Sequence, residues 1–135
     1  MPVNTLIVDD SAVMRQMIAK VLRLCGAPVA VVHQAANGVE GLACIAKNPI
    51  DLVLVDINMP LMNGLEMLGL LRANAETSDV PVIVISTDGT ESRAAEIRNL
   101  GAELVQKPFS PETLRDAIRR VLGVTDEERD ENGAS

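Results

Sequence analysis

Four charged side chains of this 135-residue chain stand where a parallel sheet would gather them. Asp9 and Asp10 end the first hydrophobic run of the chain, Asp56 ends the third, and Lys107 directly follows the fifth. If these runs are parallel strands, all four side chains emerge at the carboxyl edge of the sheet, where open α/β folds keep their sites. The spacing therefore predicts one pocket that holds three carboxylates and one ammonium group.

The chemistry of such a pocket follows from its charges. Two carboxylates about 5 Å apart repel each other by roughly 3 kcal/mol at an effective dielectric constant of 20, so three of them call for a cation. Hard oxygen ligands suit Mg²⁺. With the metal bound, a phosphoryl group can approach Asp56, and Lys107 and the hydroxyl of Ser86 can hold its oxygens. We therefore predict that Asp56 is a nucleophile that forms an acyl phosphate, a step that depends on positioning and needs no general base.

The elements that must position these residues alternate along the chain. Five strand-like runs rich in Val, Ile and Leu are separated by helical patterns, which is typical of a parallel sheet covered on both faces. We predict a single α/β domain with a doubly wound, five-stranded parallel sheet and five helices. The predicted strands are Thr5–Asp9, Val29–Ala35, Leu52–Asp56, Val82–Ser86 and Glu103–Gln106.

Capping residues and apolar spacing predict the five helices. The fifth is the clearest, because Ser110 caps it and Pro111 takes its first position. The pair Asn63-Gly64 is interpreted as a turn before the third helix. The predicted helices run from Ser11 to Gly26 with apolar Val13, Met17, Val21, Leu24 and Cys25, from Val39 to Lys47, from Leu65 to Arg72, from Glu91 to Leu100, and from Pro111 to Leu122 with apolar Leu114, Ala117, Ile118, Val121 and Leu122.

The charge distribution separates the chain into two parts. The net charge is −7, and residues 124–135 hold five acids and one arginine. We expect residues 1–123 to form the domain and residues 124–135 to form an acidic, disordered tail. An acidic chain with one aromatic residue, Phe109, lacks both a phosphate-binding surface and stacking platforms, which argues against direct nucleic-acid binding.

Other sequence features indicate a reduced, cytoplasmic environment. No apolar run approaches the ~20 residues that span a bilayer. The N-terminus shows no basic segment followed by an apolar stretch, so we expect no secretory signal and no membrane insertion. Cys25 and Cys44 are too far apart for a metal motif and are interpreted as reduced thiols. The single His33 is expected to be structural.

Four motifs, each following its own predicted strand, resemble those of the receiver domain of two-component response regulators. They are Val8-Asp9-Asp10-Ser11, Asp56-Ile57-Asn58-Met59-Pro60 with Gly64, Ser86-Thr87, and Lys107-Pro108-Phe109. The resemblance covers about residues 3–122, and the single-domain chemotaxis regulators of the CheY type look most similar. It implies a flavodoxin-like, CheY-like fold with strand order 2-1-3-4-5.

The resemblance also implies a phosphoacceptor and a metal site. Asp56 would accept a phosphoryl group from a phosphohistidine on a sensor histidine kinase. Asp10, Asp56 and the backbone carbonyl of Asn58 would ligate Mg²⁺, with Asp9 helping through water.

The same resemblance implies the groups that surround the phosphoryl oxygens. Ser86, Lys107 and the backbone N–H of Thr87 would contact these oxygens, and the Lys107-Pro108 peptide bond would be cis. Asn58 and Asp88 stand at the two positions that influence how quickly the phosphoryl group hydrolyses.

One position departs from the pattern of the family. Receivers usually carry Tyr or Phe three residues before the lysine, and Leu104 stands there in this chain. We therefore expect the signal to travel through the Ser86–Asp88 loop and the fourth helix. The surface of helix 4, strand 5 and helix 5 would meet a downstream protein, with Arg115, Arg119 and Arg120 either recognising an acidic segment or facing water.

The resulting prediction is a stand-alone phosphoacceptor switch in chemotaxis-type signalling. It would catalyse only its own phosphorylation and dephosphorylation, so we do not expect an enzyme in the ordinary sense. Four alternatives compete with it. An aspartate-nucleophile phosphatase would need an acid where Asn58 stands, and a flavin carrier would meet repulsion from Asp9 and Asp10. A receiver from a larger regulator, such as a chemotaxis methylesterase, would need an effector domain, for which the chain ends too soon after the fifth helix. A docking module or phosphate sink of the same fold would be expected to have lost a site residue.

Overall fold

The computed structural model describes residues 3–24 and 29–123, in which five strands and five helices alternate along the chain. The strands are parallel and lie in the order β2-β1-β3-β4-β5, as expected. The strands are β1 (Val3–Val8), β2 (Val29–Ala35), β3 (Leu52–Asp56), β4 (Val82–Ser86) and β5 (Glu103–Gln106). The helices are α1 (Ala12–Leu24), α2 (Gly38–Lys47), α3 (Gly64–Ala73), α4 (Glu91–Asn99) and α5 (Pro111–Val121).

The sheet has one hydrophobic core on each face, because successive side chains of a strand point in opposite directions. Every residue of β3 and β4 is buried, so these strands show no polar alternation in sequence. Leu54 and Ile83 pack on the face covered by α1 and α5, and Val53 and Val82 pack on the other face with residues of α3 and α4. The Val/Ile/Leu runs thus predict the central strands because both faces of these strands are buried.

The apolar residues whose spacing predicts α1 are mostly not the residues that the helix buries. Among those that the structure describes, only Val21 is buried, whereas Val13 is 78% and Leu24 is 73% exposed. The helix instead buries Ile18, Ala19, Val21 and Leu22, together with part of Met14. Apolar residues occur on two sides of this helix, and only packing against β1 and α5 decides which side is buried. The predicted end of the helix at Cys25 and Gly26 lies outside the described residues.

Asn63 and Gly64 do more than turn the chain. Asn63 caps α3, since its side chain accepts the Glu66 N–H at 2.8 Å and its own N–H donates to Glu66 Oε1 at 3.1 Å. Gly64 is the first residue of the helix, and a methyl group there would lie 2.5 Å from the carbonyl oxygen of Asp56. The pair therefore packs the start of α3 directly against the end of β3.

The remaining boundaries agree with the predictions within one or two residues. Strand β1 begins at Val3 and ends at Val8, and the Asp9 N–H still continues its ladder by donating to the Ala35 carbonyl. Ser110 caps α5 with Pro111 behind it, as expected. Within the described part of the chain, no helix is long and apolar enough to span a bilayer.

Candidate functional site

The carboxyl edge of the sheet brings the predicted charged residues together. Strands β1 and β3 are neighbours, so Asp9 and Asp10, which follow β1, meet Asp56, the last residue of β3. One carboxylate oxygen from each of the three lies within 4.8 Å of the others. Lys107, which follows β5, places its Nζ 3.3 Å from Asp56 Oδ1. The pocket predicted from spacing is therefore present in the folded chain.

Burial makes the carboxylate charges of the pocket costly. Asp9 and Asp56 are buried and Asp10 is exposed. Burial raises the pKa of Asp9; the Asp56 and Asp10 carboxylates act in the same direction, and the Ser11 N–H and Lys107 oppose them. Asp9 Oδ1 accepts the Ser11 N–H at 2.8 Å, whereas its Oδ2 is buried without a hydrogen-bond partner among the described residues.

These observations fit a divalent cation. A buried carboxylate oxygen without a partner is costly, and a second and third carboxylate nearby increase the cost. Mg²⁺ prefers hard oxygen ligands and is commonly held by one or two carboxylates together with water. The donor set of Asp9, Asp10 and Asp56 therefore suits this ion.

The backbone around Lys107 fixes its side chain near Asp56. The Lys107 N–H donates to the Ser86 carbonyl at 2.7 Å, which extends the pairing of β4 and β5 by one residue. The Lys107-Pro108 peptide bond is cis, as expected. Strands β1 and β5 lie on opposite sides of β3 in the sheet, so Asp9 and Lys107 flank Asp56 in the order of the strands.

Ser86 ends β4 and is fully buried beside the same edge. Its Oγ accepts the Asp88 N–H at 3.0 Å, which leaves the hydroxyl proton to donate to another group. Thr87, whose N–H was predicted to contact phosphoryl oxygens, follows at the surface. The hydroxyl and the following loop are therefore linked by one hydrogen bond.

The loop after β4 is held by Asp88. Its Oδ1 accepts the Thr90 N–H at 3.0 Å, and its Oδ2 lies 3.5 Å from Arg93 Nε. The hydrogen bonds from Thr90, followed by the Arg93 guanidinium, lower the pKa of Asp88. Asp88 therefore stays ionised and fixes the entry to α4.

Two further predicted positions follow or belong to the strands that form the site. Asn58 is exposed in the loop that follows β3, two residues after Asp56. Leu104 on β5 is partly buried and packs against the core cluster on the α3 and α4 face. An aliphatic side chain therefore fills the position where the family usually has an aromatic ring.

Sequence reasoning missed the residue that braces Asp9. Arg15 Nη1 donates to the Asp9 carbonyl at 2.6 Å, and Arg15 Nε donates to Gln34 Oε1 at 3.1 Å. This arginine connects α1 with the ends of β1 and β2. Because its main partner is a backbone carbonyl, no residue type in the sequence signals the contact.

The expectation that Arg119 faces water or a partner is wrong, because this residue is only 6% exposed. The long apolar stem of an arginine packs readily against neighbouring groups, which its charge conceals in the sequence. Arg115 and Arg120 remain accessible, but Arg115 pairs with Asp116 and Arg120 pairs with Glu103. The basic surface of α5 is therefore smaller than predicted.

Cys44 and His33, which the structure describes, lie apart from the cluster of acids. Cys44 is a free, partly buried thiol whose Sγ lies 3.6 Å from Asn48 Nδ2, and Cys25 lies outside the described residues. His33 is half-buried in the edge strand β2.

Comparisons with known proteins agree with this geometry. The sequence model of the response regulator receiver domain matches residues 5–119. The chemotaxis protein CheY homolog of Campylobacter jejuni is 35% identical over 120 residues, which cover 87% of this chain and 91% of that protein. The solved structure of chemotaxis protein CheY4 of Vibrio cholerae superimposes with a TM-score of 0.79 at 34% identity, covering 90% of this chain and 99% of that one. A protein-glutamate methylesterase/glutaminase of Hahella chejuensis is 36% identical over 120 residues, which make up 33% of its length.

Proposed function

The chain belongs to the response regulator receiver family, and we propose that it is a phosphoacceptor switch of chemotaxis-type two-component signalling. The observation that carries this proposal is the buried Asp56 carboxylate, which lies within 4.8 Å of the Asp9 and Asp10 carboxylates and 3.3 Å from the Lys107 ammonium group. Three carboxylates in this setting attract a divalent cation, and the cation together with Lys107 would attract the anionic phosphoryl group.

The reaction proposed for Asp56 is a phosphoryl transfer. One Asp56 carboxylate oxygen attacks phosphorus, and a P–O bond forms as the P–N bond of a phosphohistidine on a sensor histidine kinase breaks. The donor imidazole leaves with the electron pair of the broken bond. A carboxylate nucleophile carries no proton that must be removed, so the attack requires no general base.

The acids of the pocket have a separate role in this proposal. Asp10, Asp56 and the carbonyl of Asn58 would hold Mg²⁺, and Asp9 would act through a water molecule. When bound, the ion neutralises the carboxylates and the charge on the phosphoryl oxygens. The unpartnered Oδ2 of the buried Asp9 supports this assignment.

Three donors would hold the phosphoryl oxygens. They are the Lys107 ammonium group, the Ser86 hydroxyl and the backbone N–H of Thr87, all at the ends of β4 and β5. Asn58 lies two residues after Asp56 and Asp88 lies two residues after Ser86, and we propose that they tune the rate at which the acyl phosphate is hydrolysed.

The switch would act through other proteins. We propose that a sensor histidine kinase supplies the phosphoryl group in the cytoplasm, and that the α4, β5 and α5 surface meets the downstream protein. The protein would turn over no external substrate. The receiver is assigned to residues 1–123, and the acidic residues 124–135 of the proposed tail lie outside the described part of the chain.

The experiment that tests the proposal is the intact mass after incubation with acetyl phosphate and Mg²⁺. We expect one phosphoryl increment on the wild type, none with EDTA, and none on Asp56→Asn. Asp116→Asn is the matched control. Asp116 is an exposed acid on α5 that pairs with Arg115, and it is not one of the three clustered acids. The control should take up the increment like the wild type.

A docking module of the same fold is the second candidate. It would show no increment on the wild type under conditions in which a known receiver reacts. That result would contradict the phosphoacceptor proposal and leave the three acids as a metal-binding or structural cluster.

A further inference from the structure

The loop between β4 and α4 is in direct contact with a side chain of β5. Gln106 is the last residue of β5, and it stands opposite Ser86 in the register of β4 and β5. Its amide lies so close to Gly89 that a methyl group at Gly89 would be 2.2 Å from Gln106 Oε1. Gln106 therefore touches the loop that follows Ser86.

The same loop donates a hydrogen bond to the Ser86 hydroxyl. Ser86 Oγ accepts the Asp88 N–H, and Asp88 in turn accepts the Thr90 N–H at the cap of α4. Gly89 lies between these two residues. A change in the hydrogen bonding of Ser86 must therefore be accommodated by the backbone on which the Gln106 amide rests.

The position of Gln106 on β5 relates it to Leu104. Residues two apart in a strand share a face of the sheet, so Gln106 lies on the same side as Leu104 but nearer the carboxyl edge. Leu104 packs into the core beneath, whereas Gln106 is exposed and covers the loop. In this chain the side chain of β5 that contacts the loop is thus an amide, one residue before Lys107.

We propose that Gln106 is a positioning residue that couples the Ser86 hydroxyl to the β4–α4 loop, a role that rests on the proposed function. In the unphosphorylated protein the amide packs against Gly89, and the loop is joined to Ser86 through the Asp88 N–H. When the Ser86 hydroxyl donates a hydrogen bond to a phosphoryl oxygen on Asp56, its Oγ moves toward that oxygen and draws with it the Asp88 N–H that it accepts. The loop then shifts against Gln106, and the change reaches α4, which begins directly after Thr90.

Two substitutions disturb the contact between Gln106 and Gly89, one at each residue. Gln106→Ala removes the amide, and Gly89→Ala places a methyl group where the amide lies. The second change is tolerable for folding, because the group it displaces is the free end of a flexible side chain. Two matched controls are available: Gln16→Ala on the exposed surface of α1, and Gly69→Ala, where a methyl group would meet nothing within 4 Å.

The test is hydrogen exchange of the segment 87–99, with and without beryllofluoride and Mg²⁺ as the phosphoryl mimic. The readout is the difference between the two states, which a purely structural effect of the substitution does not change. We expect both Gln106→Ala and Gly89→Ala to reduce this difference by at least about threefold, and both controls to keep the wild-type response. Gln106→Met, which restores the length of the side chain, should recover most of the response.

The phosphoryl mass increment separates this inference from the proposed function. If both test variants take up the increment and respond to the mimic like the wild type, the coupling role of Gln106 is overturned and the phosphoacceptor remains. If Gln106→Ala loses the increment itself, Gln106 acts in the transfer and the coupling role is likewise overturned. A wild type without an increment would overturn the proposed function, and the role of Gln106 with it.

Discussion

At Asp9, the burial of a charge that suits the proposed metal site lowers the stability of the fold. Its carboxyl is buried beside two other acids, and burial raises its pKa above the ordinary value. A carboxyl whose pKa rises on folding binds protons more tightly in the folded protein, so its charge lowers the free energy of unfolding at neutral pH. This cost disappears as the pH falls through the raised pKa.

Neutralising Asp9 should therefore stabilise the protein when no metal ion is bound. We expect Asp9→Asn to raise the free energy of unfolding in EDTA by about 1 kcal/mol. The same change should remove most of the stabilisation that Mg²⁺ gives the wild type, because the ion would then offset the repulsion between two carboxylates and not among three. Urea unfolding in EDTA and in Mg²⁺ measures both effects, with Asp116→Asn as the exposed control. A variant that is less stable in EDTA, or that responds to Mg²⁺ like the wild type, would contradict the assignment.

Thr5 illustrates a second cost at the scale of one residue. It is fully buried in β1, and its hydroxyl has no hydrogen-bond partner among the described residues. Replacing an unsatisfied hydroxyl by a methyl group of the same shape removes a desolvation cost, so we expect Thr5→Val to raise the free energy of unfolding by about 1 kcal/mol. Urea unfolding measures the change.

Thr77→Val provides the control for Thr5→Val, because it makes the same chemical change where the hydroxyl is used. Thr77 Oγ1 donates to the Leu71 carbonyl at 2.6 Å, so this variant should lose about 1 kcal/mol. If both variants shift stability in the same direction, hydrogen bonding does not explain the behaviour of Thr5.

At the scale of the elements, Arg72 connects α3 to two loops at the edge of the sheet opposite the candidate site. From the last turn of α3 its guanidinium donates to the Leu100 carbonyl at 2.7 Å and the Val80 carbonyl at 2.8 Å, with longer bonds to the carbonyls of Thr77 and Gly101. Burial lowers the pKa of this arginine, which its carbonyl partners compensate by satisfying the donors. The loops before β4 and before β5 are thereby fixed to one helix.

Arg72→Lys should weaken this junction despite keeping the charge. A lysine has one nitrogen and cannot span two loops, so we expect the free energy of unfolding to fall by about 2 kcal/mol. Arg98→Lys is the control, because Arg98 is exposed on α4 and forms only a surface ion pair with Glu91. Equal stability of Arg72→Lys and Arg98→Lys would show that the carbonyl contacts contribute little.

The elements also show which parts of the fold the sequence predicts. The strands and the Ser110 cap of α5 follow from local patterns, and the observed boundaries of the strands differ from the predictions by no more than two residues. The buried face of α1 does not, because Val13 and Leu24 are apolar yet exposed, and only the packing of the whole domain selects the face. Local chemistry predicts where an element lies better than which way it faces.

At the scale of the whole molecule, the site can be predicted because the topology is regular. Parallel strands end at one edge, so residues as distant in sequence as Asp9, Asp56 and Lys107 are gathered by strand order alone. The contacts of Arg15 with the Asp9 carbonyl and of Gln106 with Gly89 depend on loop geometry, and no residue pattern predicts them. Spacing thus predicts the charged groups of the site but not the groups that hold them in place.

The boundary of the domain leads to the last prediction. The described core is complete at α5, where Leu114, Ala117 and Ile118 are fully buried, and the helix is followed by Gly123 with a φ of 74°. We expect a chain that ends at Gly123 to keep its free energy of unfolding within about 0.5 kcal/mol and to take up the same phosphoryl increment, because it retains all the residues that are buried in the described part of the chain. A chain that ends at Asp116 loses Ala117 and Ile118 and should not fold. Urea unfolding and intact mass decide the matter: a shortened chain ending at Gly123 that is markedly less stable would place residues 124–135 within the folded domain, since only contacts made by those residues can account for the loss.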